Sequence, residues 1–484
     1  MVGCQRMDAI ASARATGDDG GAEHYALHVA VGGLRGEIVA VASSDGCVRV
    51  FDPDLASVRA TFRAHQGPIT QIDFAFRVPA GTTSSAGGTN EEQRTMSTAR
   101  QACLLLTSSE DGTLKVWDLT PCAHAMRGSA GIVDAVACVQ TLAADGRRSP
   151  IWSFAARYDG GAPLGKPNLG VLAASSRGGV VLWETEANRD GLRMAGRKIV
   201  ALEESFGDDD VTQVAFLPSP ATQCVLAAAG EDGLVCIFDL SRGADEDDNL
   251  LCVLNAGAAI SRIGCCGHAL PLPSTSGAGG VCGDGFECFL WCTTRVEGVL
   301  VWNWRRAAAE EAEDAEPDAM ATDGCDALFR MEDARPAMAR PAAGGGGGPG
   351  PRKPAAWSYL VGCAWDAQAH ELHAVAGTAS GDVAFFRLAR GAMQRGAEGP
   401  TLAFTSGGEG AGEVRRMRGR GPGATLGHAD VVRALVADEH GVGREDGWYS
   451  CGEDGMVCLW RKGAGARSKG WGTPPRCGGG YRPY

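Results

Sequence analysis

Residues 160–167, GGAPLGKP, carry a Gly-Lys pair of the kind that can cradle a phosphate. Glycine lets backbone N–H groups approach the anion, and lysine adds a positive charge. In a phosphate-binding loop the next residue is a Ser or Thr that binds Mg²⁺, but here it is Pro167, and no strand-to-helix pattern surrounds the motif. Nucleotide binding is therefore not expected. His268, Cys282, Cys288 and Cys292 offer zinc-type ligands. Their spacing fits no common structural site, and the last two fall within a strand pattern, so no metal is expected. A Gly-x-Ser-x-Gly nucleophile elbow is absent as well. The 18 cysteines include no Cys-x-x-Cys pair and lie mostly in strand patterns. They read as small buried residues in a reducing compartment. No cofactor and no catalytic residue is expected.

The elements that position the remaining polar residues are hairpins. In residues 103–119, CLLLTSSEDGTLKVWDL, an apolar run meets a polar cluster and then an alternating strand. Asp111-Gly112 marks the turn, because glycine tolerates positive φ and aspartate bonds its own backbone. A lone hairpin cannot bury its own face. This one recurs as CVLAAAGEDGLVCIFDL (224–240), WYSCGEDGMVCLWR (448–461) and EIVAVASSDGCVRVFD (37–52). Degraded copies stand at 171–184, 289–303 and 372–387, which makes seven.

Periodic self-similarity with Gly-His and Trp-Asp punctuation signals four-stranded propeller blades. On these residues the chain resembles the WD-repeat superfamily between residues 25 and 461. Two longer stretches, at 209–250 and 359–381, resemble the WD repeat-containing protein 89 family. The fold implied is all-β: a seven-bladed WD-repeat β-propeller with long loop insertions.

Charge and composition narrow the function. The 45 basic and 58 acidic residues leave −13, which disfavours indiscriminate nucleic-acid binding. No apolar run reaches the ~18 residues of a membrane span. The first residues lack the apolar core of a secretion signal, and Gly is third rather than second, so neither secretion nor myristoylation is expected. The expected location is cytoplasmic or nuclear.

Residues 1–23 read as a disordered segment, with a closing strand possible near 7–13. The propeller spans 24–461, with insertions near 78–101, 305–356 and 389–424. The last of these carries Arg415, Arg416, Arg418 and Arg420 and reads as a basic loop. Blade 3 is expected to open at 132–139. Residues 462–484 read as a disordered basic tail.

The resemblance also implies residue roles. In well-formed WD blades a His, a Ser or Thr, the turn Asp and the Trp form a buried hydrogen-bond chain. Two sets are complete: His65, Thr107, Asp111, Trp117 and His428, Ser450, Asp454, Trp460. Trp can only donate, a hydroxyl accepts and donates, and neutral His passes the chain to a carboxylate. The other five blades lack a member and are expected to close by ordinary packing. Partner contacts in WD propellers gather at the residue before the turn Asp and beside the start of the inner strand. Here these are Glu110, Glu231 and Glu453, with Pro68, Thr70, Asp210, Thr212, Val431 and Arg433. The expectation is a non-enzymatic scaffold, monomeric within a complex, whose protein partner presents a basic segment. Nucleic acid is not expected except through the basic tail; an RNA-associated or ribosome-biogenesis factor using the basic loop and tail is one alternative. A cullin-type ubiquitin-ligase receptor is another alternative. However, of WDLT, FDLS, WETE and WNWR only the last keeps the Arg of a Trp-Asp-x-Arg site.

Overall fold

The computed structural model describes residues 5–16, 24–33, 37–74, 103–125, 136–143, 149–157, 169–188, 191–193, 198–202, 205–219, 224–242, 246–269, 286–305, 307–308, 327–338, 357–366, 371–388, 413–417, 426–437 and 447–462. They form seven antiparallel blades around a central channel. Blade 2 shows the plan: inner strand Ile69–Phe74, hairpin strands Leu104–Ser109 and Thr113–Asp118, and outer strand Ala137–Ala143.

Each hairpin is apolar on both faces because each blade is covered on both sides. Leu104 and Leu106 face blade 3, whereas Leu105 between them faces blade 1. One apolar cluster lies between every successive pair of blades, and Val41, Phe51, Tyr449 and Leu459 close the ring between blades 7 and 1.

Gln5–Arg14 is the outer strand of blade 7, antiparallel to Met456–Lys462. Its first residues, Gln5–Met7, also run parallel to Arg415–Met417, so blades 6 and 7 share one eight-stranded sheet.

Two expectations are corrected. The strand expected to open blade 3 at 132–139 is Ala137–Ala143, the outer strand of blade 2. Ala137, Cys138 and Val139 are exposed, as an outer strand permits and an inner one does not. Blade 3 instead opens with Ser153–Arg157. The expected basic loop around Arg415 and Arg416 is Glu413–Met417, the outer strand of blade 6, with Met417 fully buried. Its backbone pairs with Val383–Phe386, whatever the charge of its side chains. Arg418, Arg420, Cys282, the loop 160–167, the insertion 78–101, most of 305–356 and nearly all of the tail lie outside the described residues. The described cysteines are free thiols, and among the described residues no His, Cys, Asp and Glu group could hold a metal. No described helix is long and apolar enough to cross a membrane.

Candidate functional site

The hairpin turns lie at one end of the ring, where inner strands begin. In blade 2, Gly112 holds φ +81° and the Asp111 carboxylate accepts from Thr113 N at 3.0 Å and Gln66 N at 3.1 Å. The Thr113 hydroxyl, which donates to Asp111 at 2.6 Å, together with His65 and the Gln66 N–H overcomes the cost of burial and keeps Asp111 below the usual carboxylate range.

Both complete hydrogen-bond sets are assembled. Trp117 Nε1–H donates to Thr107 Oγ1 at 3.0 Å, Thr107 lies 2.7 Å from His65 Nε2, and His65 Nδ1 lies 3.0 Å from Asp111. In blade 7 the corresponding distances are 2.6, 2.8 and 3.0 Å for Trp460, Ser450, His428 and Asp454. Thr107 and Ser450 are completely buried, so neither hydroxyl can reach a substrate. These chains fasten turn, strand and loop together.

Degraded blades show what a missing member does. In blade 5, Cys292 stands where Thr107 stands in blade 2, each paired with the equivalent inner-strand residue. Trp302 is buried there with Nε1 lacking a partner. Blade 1 departs from the expected closure by ordinary packing. Arg49 Nη1 donates to Ser43 Oγ at 3.0 Å, Ser43 donates to Asp45 at 2.6 Å, and Arg49 lies 3.6 Å from Asp45. Phe51 stands where Trp117 stands in blade 2, and Arg49, at the position of Lys115, ties the turn instead; the Ser-x-Asp-x-x-x-Arg spacing was the available signal.

The two complete networks titrate differently. Burial and the Lys115 ammonium hold His65 below the ordinary imidazole range, outweighing Asp111. In blade 7, Cys458 occupies the position of Lys115. There, burial is overcome by bonding to Asp454 and Cys458, which lifts His428 to about 10. Around His65, the unfolded chain takes up a proton first, so blade 2 loses stability as pH falls below 6.5. Around His428 the stabilisation is complete below 6.5 and is lost as pH rises towards about 10. Hydrogen exchange in Leu104–Ser109 and Trp448–Gly452 between about pH 5 and about pH 9 should therefore show opposite trends once intrinsic rates are removed. Parallel trends would contradict the assignment.

At the rim, the amide N–H groups of Glu110, Glu231 and Glu453 donate to the carbonyls of Pro68, Asp210 and Val431. The three glutamates therefore occupy one register around the mouth. Ser44 and Arg295 take the same register, bonded to Tyr25 and Ala259. Arg295 pairs with Glu231, and Arg433 pairs with Glu453. The turn of blade 3 brings Arg177 against Asp210 through a backbone bridge. Glu110 is exposed and forms no ion pair among the described residues. Sequence reasoning missed Arg177 and Arg295 because they stand in turns that have lost the Asp-Gly signature.

Thr70 and Thr212 are half-buried, and their hydroxyls are engaged within the ring. Thr70 Oγ1 donates to the Ile151 carbonyl and Thr212 Oγ1 to the Ile260 carbonyl at 2.9 Å, which ties each blade to the next.

Seven blades, Asp-Gly turns and the His–hydroxyl–Trp chain define the fold as a WD-repeat β-propeller. The family model described as WD domain, G-beta repeat matches residues 94–118, which take in the hairpin of blade 2. WD repeat-containing protein GTS1 of Arabidopsis thaliana is 24% identical over 430 residues, 87% of this chain and 78% of that protein. The WD repeat-containing protein 89 homolog of Dictyostelium discoideum is 28% identical over 165 residues, 34% of this chain and 35% of its own. WD-repeat proteins are generally protein-interaction scaffolds and typically non-catalytic.

Proposed function

We infer that this propeller is a non-enzymatic scaffold of the cytoplasm or nucleus that holds protein partners at its turn mouth. The partner presents a basic segment. The observation that carries this reading is Glu110, an exposed carboxylate with no cation beside it among the described residues. Glu231 and Glu453 flank the same mouth, each held by an exposed arginine. Exposed pairs of this kind are worth only about 0–1 kcal/mol, so a partner's Lys or Arg can replace Arg295 or Arg433 at little cost. Association should slow as salt rises.

The test is the triple variant Glu110→Lys/Glu231→Lys/Glu453→Lys, recovered from cells with whatever it binds. It should melt like the wild type and lose its partners, with Glu110→Lys alone giving the largest single effect. A triple variant that keeps its full interaction set would move the site to the loops or the opposite face.

A further inference from the structure

The inner strands place seven equivalent residues just inside the turn mouth, each at the register that Gln71 holds against Ser108. They are His28, Gln71, Ser153, Gln213, Arg262, Tyr359 and Ala434. None is a carboxylate, and Arg262 is the one permanent charge. Its side chain leaves blade 5, passes the bare backbone of Gly362 in blade 6 and donates from Nη2 to the Arg433 carbonyl in blade 7 at 2.9 Å. A Cβ on Gly362 would sit 3.5 Å from Arg262 Cδ, an ordinary contact distance, so the arginine side chain runs directly alongside this backbone. Reaching two blades onward places this guanidinium in the channel.

Arg262 forms no ion pair among the described residues. A guanidinium has five N–H donors, and a single carbonyl uses one of them. The Glu453 carboxylate at the mouth of blade 7 is held by Arg433. His28, half-buried, holds the equivalent register position in blade 1 and feels the charge of Arg262.

We propose that the channel just inside the turn mouth binds a phosphate-type oxyanion, held by the Arg262 guanidinium and the His28 imidazole. The geometry suits it, since a planar fork bonds two oxygens of one oxyanion at once. Burial and Arg262 together hold His28 down at about 3. An anion between the two would reverse the second cause, so His28 would take up a proton as the anion binds. The site does not depend on the rim glutamates and stands whether or not they bind a partner.

The experiment titrates inorganic phosphate into the full chain labelled with ¹⁵N-histidine, at constant ionic strength, and follows the His28 ring nitrogens. Saturable movement towards the imidazolium position is expected. Arg262→Gln should weaken it roughly tenfold or more, and Arg262→Lys, which keeps the charge without the fork, should fall between. Thermal melting of both variants separates lost binding from lost fold. A phosphoserine peptide that binds more tightly than inorganic phosphate would assign the oxyanion to a partner's phosphorylated side chain. The reverse order would assign it to the free ion. No saturable shift with either probe, an equal response to chloride, or unchanged binding in a folded Arg262→Gln would overturn the proposal.

Discussion

Trp117→Ala is expected to destabilise the chain by about 3–5 kcal/mol, the range for emptying a large buried aromatic site. Trp117 is 6% exposed and packs in the apolar cluster between blades 1 and 2. Its ring meets that of Phe62 at a centroid distance of 4.7 Å, and the Lys115 ammonium sits 5.9 Å from its centre. Alanine would leave a cavity at that interface and remove the donor to Thr107, so the hydroxyl–His65–Asp111 chain would lose its anchored end. Trp117→Phe separates the two effects. It keeps most of the volume and loses the N–H, and should cost only about 1 kcal/mol, the net worth of an ordinary hydrogen bond. Denaturant unfolding measures both. An alanine variant that melts within a degree of wild type would show that the ring does not depend on this contact.

Deleting the first 20 residues should open blade 7 while leaving blades on the far side of the ring intact. Gln5–Arg14 covers the outer edge of Met456–Lys462. Just beyond it, Ala15 is fully buried, donates to the Gly455 carbonyl at 2.8 Å and accepts from Arg49 of blade 1 at 2.8 Å. The segment therefore does two things: it supplies a strand and it ties blade 7 to the Arg49 network of blade 1. Without it, Met456–Lys462 becomes an unpaired edge, and edges of this kind invite pairing with other chains. Fast exchange in Met456–Lys462 with unchanged protection in Val225–Gly230 is the expected pattern, together with a greater tendency to associate. Unchanged exchange in blade 7 would contradict this account.

The contrast between hairpins and outer strands explains how much was legible. The hairpin carries a local code: apolar run, Asp-Gly, alternation, Trp-Asp, all within 17 residues at 103–119. That code reveals the propeller and two hydrogen-bond networks. Outer strands carry no such code. Ala137–Ala143 leaves most of its side chains in water, and Glu413–Met417 stands 24 residues beyond the end of its neighbour at Leu388, so neither has a pattern that marks its blade. The charges at the mouth were half legible for the same reason. Glu110, Glu231 and Glu453 announce themselves by preceding Asp-Gly, whereas Arg295 reaches the same register through the altered turn Arg295-Val296-Glu297-Gly298. Arg262 was invisible, because nothing in ISRIGCC tells that its side chain crosses the channel to blade 7.

The central claim is that partners engage the turn mouth, and site-specific photo-crosslinking in cells tests it most directly. A benzophenone side chain would replace Glu110 at the mouth or Ser241, an exposed residue at the opposite end of the blade 4 hairpin. Cross-linked partners recovered from position 110 and none from position 241, with the position 110 products fading as salt rises, is the result this account predicts. Partners captured at 241 and not at 110 would contradict it.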